Sequence, residues 1–271
     1  MTKATLTLKQ KVTPVYGRVR PVPHASLPIV EQELDRLLNF GVIKPVRHAD
    51  WAAPVKVVKK LDASARLCVD YSTWLNDALQ LHQHHLSETE DIFAIINGVH
   101  VFSQIDFSGA CLQVELDEDW KRLCNINTHR GIYEYQRLPF GVKSAPDIFQ
   151  AIMHNMLAGL PFATAYLDDI VMVSRSPDDR RRHLYAVLDI INEYVFRVRL
   201  GKCSFFQTCV KYLRFIVDKD GRRPHPIKIN AVANMPASTI TTLRSCLGLV
   251  SYYQSFVPNM RVIRQPLDDF P

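Results

Sequence analysis

The chain has 271 residues, 47% of them hydrophobic and 22% charged, which excludes a disordered or fibrous protein and leaves a globular one longer than a typical single domain. A net charge of +6 favours polyanionic partners, because Lys and Arg that neutralise phosphates release counterions. No run approaches the ~18 apolar residues of a membrane span, and residues 1–11 lack the apolar core of a signal peptide, so no membrane partner is expected.

In chain order, residues 1–23 are polar and basic and read as extended. Residues 26–39 read as a helix. Ser26 is placed to cap it, Pro28 sits in its first turn, Leu27, Val30, Leu34, Leu37 and Leu38 share one face, and Gly41 follows where a C-terminal glycine belongs. Two strands, 54–60 and 66–71, flank the turn Asp62-Ala63-Ser64. Ser87 with Glu90 makes a capping box for a short helix to Asn97. Residues 101–106 alternate as a strand that ends on Asp106, and 132–135 form another strand. Residues 144–157 are the strongest helix, with Ser144 as cap and Ile148, Phe149, Ile152, Met153, Met156 and Leu157 as its apolar stripe. Residues 164–167 and 170–174 are apolar strands around a hairpin tip at Asp168-Asp169. Ser176-Pro177 opens a helix to about Tyr194, a hairpin from Val210 turns at Asp220-Gly221, and 241–253 form a last helix. Strands and helices mix without regular alternation, which places the chain in the α+β class.

The cysteines (Cys68, Cys111, Cys124, Cys203, Cys209, Cys246) show neither C-x-x-C nor zinc-site spacing, so free buried thiols in a reducing compartment are expected. His82, His84 and His85 cluster without an acidic or Cys partner at ligand spacing and read as a solvated loop. The carboxylates carry more. Adjacent aspartates on a turn are ordinary turn chemistry. Here, however, Tyr166-Leu167 and Ile170-Val171-Met172-Val173 would bury both flanking strands and force Asp168 and Asp169 to one rim of a sheet. Asp106 ends its own apolar strand 62 residues earlier (168 − 106). If those strand ends adjoin, three like charges converge and require a compensating cation, and hard oxygen donors suit Mg²⁺ or Mn²⁺.

At these residues the sequence resembles the reverse transcriptase of gypsy-class LTR retrotransposons, from about Pro14 to Leu267. The markers include Trp51-Ala52-Ala53-Pro54-Val55, Arg66-Leu67-Cys68-Val69-Asp70-Tyr71, Leu75-Asn76-Asp77-Ala78, Phe102-Ser103-Gln104-Ile105-Asp106, Leu138-Pro139-Phe140-Gly141 and Tyr166-Leu167-Asp168-Asp169, in that order. The resemblance implies a right-hand polymerase fold, with an extended segment over 1–25, fingers and palm over 26–211, and a primer-grip hairpin and thumb-like piece over 212–271. It implies RNA-directed DNA polymerase activity with two Mg²⁺ or Mn²⁺ ions, held by Asp106, Asp168, Asp169 and the carbonyl of Phe107. Its partners would be an RNA or DNA template with its primer, and dNTPs. Nucleotide contacts would come from Lys60, Arg66, Cys111, Phe140, Gly141 and Lys202, the last matching a lysine proposed to protonate the leaving pyrophosphate. Tyr212, Leu213 and Arg214 would grip the primer. Protease, RNase H and integrase regions, which share a polyprotein in that family, are not expected within this sequence. An intracellular location is implied, cytoplasmic and particle-associated or nuclear.

Some positions depart from the family pattern. Cys111 stands where a tyrosine lies under the sugar and excludes a 2′-hydroxyl by bulk. Ala63, Val195 and Arg214 stand where glycine is usual, and glycine at such sites supplies positive φ or close approach. Two readings are therefore weighed: an active polymerase core, and a non-catalytic nucleic-acid-binding remnant that kept the hand shape.

Overall fold

The computed structural model describes residues 3–59, 65–80, 93, 95–96, 99–235, 239–260, 262 and 265. The turn at Asp62-Ala63-Ser64, the Ser87/Glu90 box and the histidine group lie outside them. Strand β1 (Lys3–Ala4) is followed by helix α1 (Leu27–Asn39), strands β2 (Ile43–Val46), β3 (Ala53–Lys59) and β4 (Ala65–Val69), and the short helix α2 (Leu75–Ala78). Next come β5 (Val101–Asp106), β6 (Glu115–Leu116), α3 (Glu118–Lys121), β7 (Asn125–Thr128), β8 (Gly131–Tyr135), α4 (Ala145–Leu157), β9 (Ala163–Tyr166), β10 (Asp169–Ser174) and α5 (Pro177–Glu193). The remainder is β11 (Ser204–Gln207), β12 (Cys209–Tyr212), β13 (Phe215–Asp218), β14 (Gly221–Pro224), α6 (Pro226–Ala233) and α7 (Ile240–Tyr252).

Helix starts separate real from apparent caps. Capping needs an extended N-cap residue whose oxygen faces the first turn. Ser176 meets that condition (φ −129°, ψ 161°), and the Asp179 amide donates to its hydroxyl at 3.1 Å. Ser26 (φ −104°, ψ −10°) and Ser144 (φ −85°, ψ −4°) do not cap by side chain, contrary to expectation, because both backbones are already helical. The Ser144 hydroxyl instead reaches the Gln80 carbonyl at 3.5 Å. Pro28 does sit in the first turn of α1, and Gly41 adopts φ +62° beyond its end.

Strands β2-β8-β7-β3-β4 form a mixed sheet in which β3 and β7 run parallel. Strand β7 was not foreseen, since Asn125-Ile126-Asn127-Thr128 has one apolar residue. Two of its buried polar side chains are bonded: Asn127 donates to the Gly17 carbonyl at 3.0 Å and Thr128 to that of Gly131 at 2.8 Å. The N-terminal segment is extended as expected, but it is part of the core and not a tail. Strand β1 pairs with β6, Ala4 and Leu6 are buried, and Gly17 lies where a Cβ would come within 2.3 Å of the Trp74 ring.

The antiparallel sheet β11-β5-β10-β9 is covered on both faces. Ile105, Ile170 and Met172 face the main core with Phe149 and Met153 of α4 and Val187 and Ile191 of α5. Phe102, Val171 and Val173 face a second cluster with Val210, Tyr212, Phe215 and Val217 of the meander β12-β13-β14 and with Tyr253. That meander carries two turns, at Leu213-Arg214 and at Lys219-Asp220, where the sequence indicated only the second. All six cysteines are free, but only Cys111 and Cys124 are buried and Cys209 is exposed. Among the described residues no helix is long and apolar enough to cross a membrane.

Candidate active site

Strands β5 and β10 place the acids. In their antiparallel register Asp106, the last residue of β5, lies opposite Asp169, the first of β10, and Asp169 also pairs with Tyr166 of β9. The hairpin tip is therefore Leu167-Asp168, and Asp169 belongs to the strand. The Phe107 amide donates to the Asp168 carbonyl at 3.2 Å, which ties the end of β5 to that turn. The register of the two strand ends thus brings three carboxylates to one rim.

The rim carries excess negative charge. The Asp169 carboxyl is held above the ordinary carboxylate range, first by burial and then by the charges of Asp106 and Asp168, while a Gln104 hydrogen bond and Lys202 work against that rise. The Lys202 ammonium lies 3.5 Å from the Asp106 carboxylate, so a cation already answers part of this charge. The donor chemistry fits hard divalent ions. Among the described residues, however, no group of three His, Cys, Asp or Glu side chains stands ready as a metal cage.

The turn is held from beneath by Gln150, which is not among the residues expected at the site. Buried on α4, Gln150 donates to the Ala165 carbonyl at 2.9 Å and accepts the Leu167 amide at 2.8 Å. Leu167 has φ +51°, a left-handed conformation costly for leucine and fixed here from both sides. Two more amides clamp the surrounding loops. Gln113 donates to the carbonyls of Ser108 (3.0 Å) and Arg197 (2.9 Å) and accepts the Arg197 amide at 2.6 Å. Asn76 donates to the Gly141 carbonyl at 2.9 Å and accepts the Lys143 amide at 2.8 Å. One signal could have found Gln150: it is polar at a position seven residues before Leu157, on the helix's apolar face.

The other expected residues distribute as follows. Phe107 is buried, with its ring 6.2 Å from that of Phe149 and 5.3 Å from that of Phe196. Cys111 is buried in the turn after Gly109, and its thiol is pushed up to about 12 by burial and then by the charge of Asp168. Phe140 packs half-buried against the main core. Gly141 has φ +96°, and a Cβ there would come within 2.8 Å of the Val69 carbonyl, so only glycine fits. The backbone of Arg66 lies in β4 opposite Val58; Lys60 falls outside the described residues. Tyr212 is buried, and its hydroxyl donates to the Asp169 carbonyl at 3.5 Å, which links the meander to the acidic rim. Leu213 (φ +47°) and Arg214 (φ +70°) form the turn that follows, both left-handed.

The chain is similar to known proteins along most of its length. Residues 58–217 match the family described as reverse transcriptase (RNA-dependent DNA polymerase). The uncharacterized protein K02A2.6 of Caenorhabditis elegans is 45% identical over 88% of this chain and 19% of its own length. The retrovirus-related Pol polyprotein from transposon gypsy of Drosophila melanogaster is 31% identical over 94% of this chain and 25% of its own. The chain thus spans a quarter or less of the length of these relatives. Among solved structures, a foamy viral protease-reverse transcriptase in complex with double-stranded DNA superposes with a TM-score of 0.88 at 25% identity, over 95% of this chain and 45% of that one.

Proposed function

The chain belongs to the reverse transcriptase family, and from that premise we propose that it is the polymerase core of an RNA-directed DNA polymerase. Its α+β fold is the right hand expected from its motifs. The observation that carries the reading is the register that sets Asp106 opposite Asp169, beside Asp168. In the proposed reaction a primer 3′-hydroxyl attacks the α-phosphorus of a deoxynucleoside triphosphate. The new P–O bond forms as the bond to the β-phosphate oxygen breaks and pyrophosphate leaves. The family uses divalent ions; Asp106, Asp168, Asp169 and the Phe107 carbonyl would hold two Mg²⁺ or Mn²⁺, which supply acidification of the hydroxyl and charge neutralisation on the triphosphate.

The chain's own side chains divide the remaining work. Arg66 and Lys60 bind triphosphate oxygens, to which a guanidinium fork is matched. Phe140 and Gly141 sit beside the incoming nucleotide, with their loop fixed by Asn76. Lys202 protonates the leaving pyrophosphate, a role that its 3.5 Å distance from Asp106 supports. Cys111 lies under the sugar, and Tyr212, Leu213 and Arg214 hold the primer. Fingers and palm span 26–211 and the grip and thumb-like piece 212–271. Template, primer and dNTPs are the partners, and the location is intracellular.

The second reading, a nucleic-acid-binding remnant, is favoured by Val195 and Arg214, which occupy left-handed backbone at glycine positions. Primer extension on an RNA template with Mg²⁺ or Mn²⁺ decides between them. The polymerase reading expects extension that Asp168→Asn abolishes. Folded protein that binds primer–template but yields no product supports the remnant.

A further inference from the structure

The segment after α5 runs back along the end of β5. Phe107 and Val198 form an antiparallel bridge, the Arg199 amide donates to the Asp106 carbonyl at 2.8 Å, and the Ser108 amide donates to the Arg197 carbonyl at 2.9 Å. This register sets Arg199 opposite Asp106 and Arg197 opposite Ser108. Residues opposed across an antiparallel pair project to the same face, and neighbours along each chain alternate. Phe107 is buried and Val198 packs against the main core, so that pair points inward. Arg199 and Asp106 therefore share the other face, as do Arg197 and Ser108. Both arginines are exposed.

The two arginines are also organised and available. The Gln113 side chain donates to the Arg197 carbonyl and accepts the Arg197 amide, which fixes the backbone that carries them. The Lys202 amide donates to the Arg199 carbonyl at 2.8 Å, and the Lys202 ammonium turns back to the Asp106 carboxylate at 3.5 Å. Lys202 thus answers Asp106, and among the described residues no carboxylate lies within ion-pair distance of Arg197 or Arg199. Two guanidinium forks beside one ammonium match a row of phosphate oxygens.

Two kinds of phosphate could lie along this edge: a nucleic-acid backbone, or the phosphate chain of a nucleotide. The position favours the second. The meander, expected to hold the primer, reaches the rim through Asp169 of β10. The arginines reach it through Asp106, from the other side of β5, along the loop that leads to Cys111. We propose that Arg199, with Arg197 beside it, binds the phosphate chain of the incoming triphosphate and then the pyrophosphate, as a site additional to Arg66 and Lys60. The proposal rests on the polymerase reading above.

The test compares the full chain with Arg199→Gln, Arg199→Lys and Arg197→Gln in Mg²⁺. Primer extension is measured over a range of dNTP, with and without inorganic pyrophosphate. Anisotropy gives the affinity for a fluorescent primer–template, and thermal unfolding is followed with and without pyrophosphate. Arg199→Gln is expected to raise KM for dNTP and the inhibition constant of pyrophosphate together, each about 3–10-fold, the scale of one charge-assisted contact at an exposed site. It should also reduce the rise in unfolding midpoint that pyrophosphate gives. Its midpoint without pyrophosphate and its affinity for primer–template should match the parent's. Arg199→Lys should keep most of the effect, and Arg197→Gln should show a smaller loss of the same kind. Weaker primer–template binding with an unchanged KM assigns the arginines to a nucleic-acid backbone and overturns the proposal. So does an Arg199→Gln variant that matches the parent in KM and in its response to pyrophosphate. A parent that binds primer–template but extends nothing overturns the polymerase reading instead, and the unfolding shift with pyrophosphate then decides this site by itself.

Discussion

The side-chain oxygen of Gln150 and the backbone amide of Leu167 are joined by a 2.8 Å hydrogen bond beneath the acidic turn, and the same glutamine donates to the carbonyl of Ala165, two residues earlier. A buried polar side chain on an apolar helix face survives because both its ends are satisfied. Removing it leaves a buried amide and a buried carbonyl without partners, each costing about 1–3 kcal/mol. Gln150→Leu keeps the bulk and loses both bonds. It should lower the unfolding midpoint by several degrees and reduce extension about 10–100-fold through kcat, because Leu167 is no longer pinned in its left-handed conformation and Asp168 loses its fixed position. Extension at the parental rate by Gln150→Leu would show that the turn needs no support from α4.

Asp169 gives a prediction with a sign. Burial and two neighbouring carboxylates raise its pKa in the folded state. The folded protein therefore holds that proton more tightly than the unfolded chain, and ionised Asp169 costs stability at pH values above its folded pKa. That cost disappears as pH falls through the folded value. Without divalent ions, Asp169→Asn should unfold at a higher temperature than the parent at pH 7, and the gap should close as the solution is acidified below the carboxylate range. Added Mg²⁺ or Mn²⁺ should raise the parent's midpoint more than the variant's, since ions that bind only the folded state stabilise it by mass action. Scanning fluorimetry over pH with EDTA or metal reads both effects; a variant less stable than the parent in EDTA at pH 7 refutes the charge argument.

The acidic rim was legible because Val101 to Ile105 and Ile170 to Val173 read as buried strands bounded by aspartates, so each acid had to lie at a strand end. The supports were not legible. Gln113 and Asn76 are amides that read as solvent-facing, and Gln150, though on an apolar helix face, gives no sign of its partners; only tertiary placement shows that the three bond backbone groups up to 84 residues away. Strand β7 was hidden for the same reason, since its burial is met by hydrogen bonds and not by apolar side chains. The first meander turn was hidden because Leu213-Arg214 lacks turn chemistry; the pairing of Tyr212 with Phe215 imposes the left-handed backbone. Ser26 and Ser144 misled in the opposite direction. Each stands before a proline-bearing first turn, yet each is already helical and offers no cap.

Val195 isolates the cost of a lost glycine. It has φ +60° and is 64% exposed, so its side chain contributes little burial to offset the conformation. A left-handed non-glycine residue costs about 1–2 kcal/mol, and glycine returns about 0.5–1 kcal/mol of that through the freedom of the unfolded chain. Val195→Gly should therefore stabilise by roughly 1 kcal/mol, a rise of about 2–4 °C in the midpoint. Val195→Ala keeps the Cβ in the same backbone and should give much less. Equal gains from alanine and glycine would assign the effect to β-branching and not to the sign of φ.

Cys111 tests whether the sugar position has lost its discrimination. The thiol is buried, and the charge of Asp168 adds to the rise that burial gives it. Pushed up to about 12, it stays protonated at neutral pH and should react slowly with iodoacetamide even at pH 8. A small apolar side chain cannot reject a 2′-hydroxyl by bulk, so the parent should incorporate ribonucleotides with little penalty. Cys111→Tyr should raise the ratio of kcat/KM for dNTP over rNTP by about 10–100-fold, the range open to steric discrimination of one hydroxyl. Because Cys111 is buried, Cys111→Phe serves as the control for fold: it carries the same ring without the hydroxyl. If both variants unfold like the parent and neither changes the ratio, Cys111 does not lie under the sugar, and discrimination must be set elsewhere on the rim.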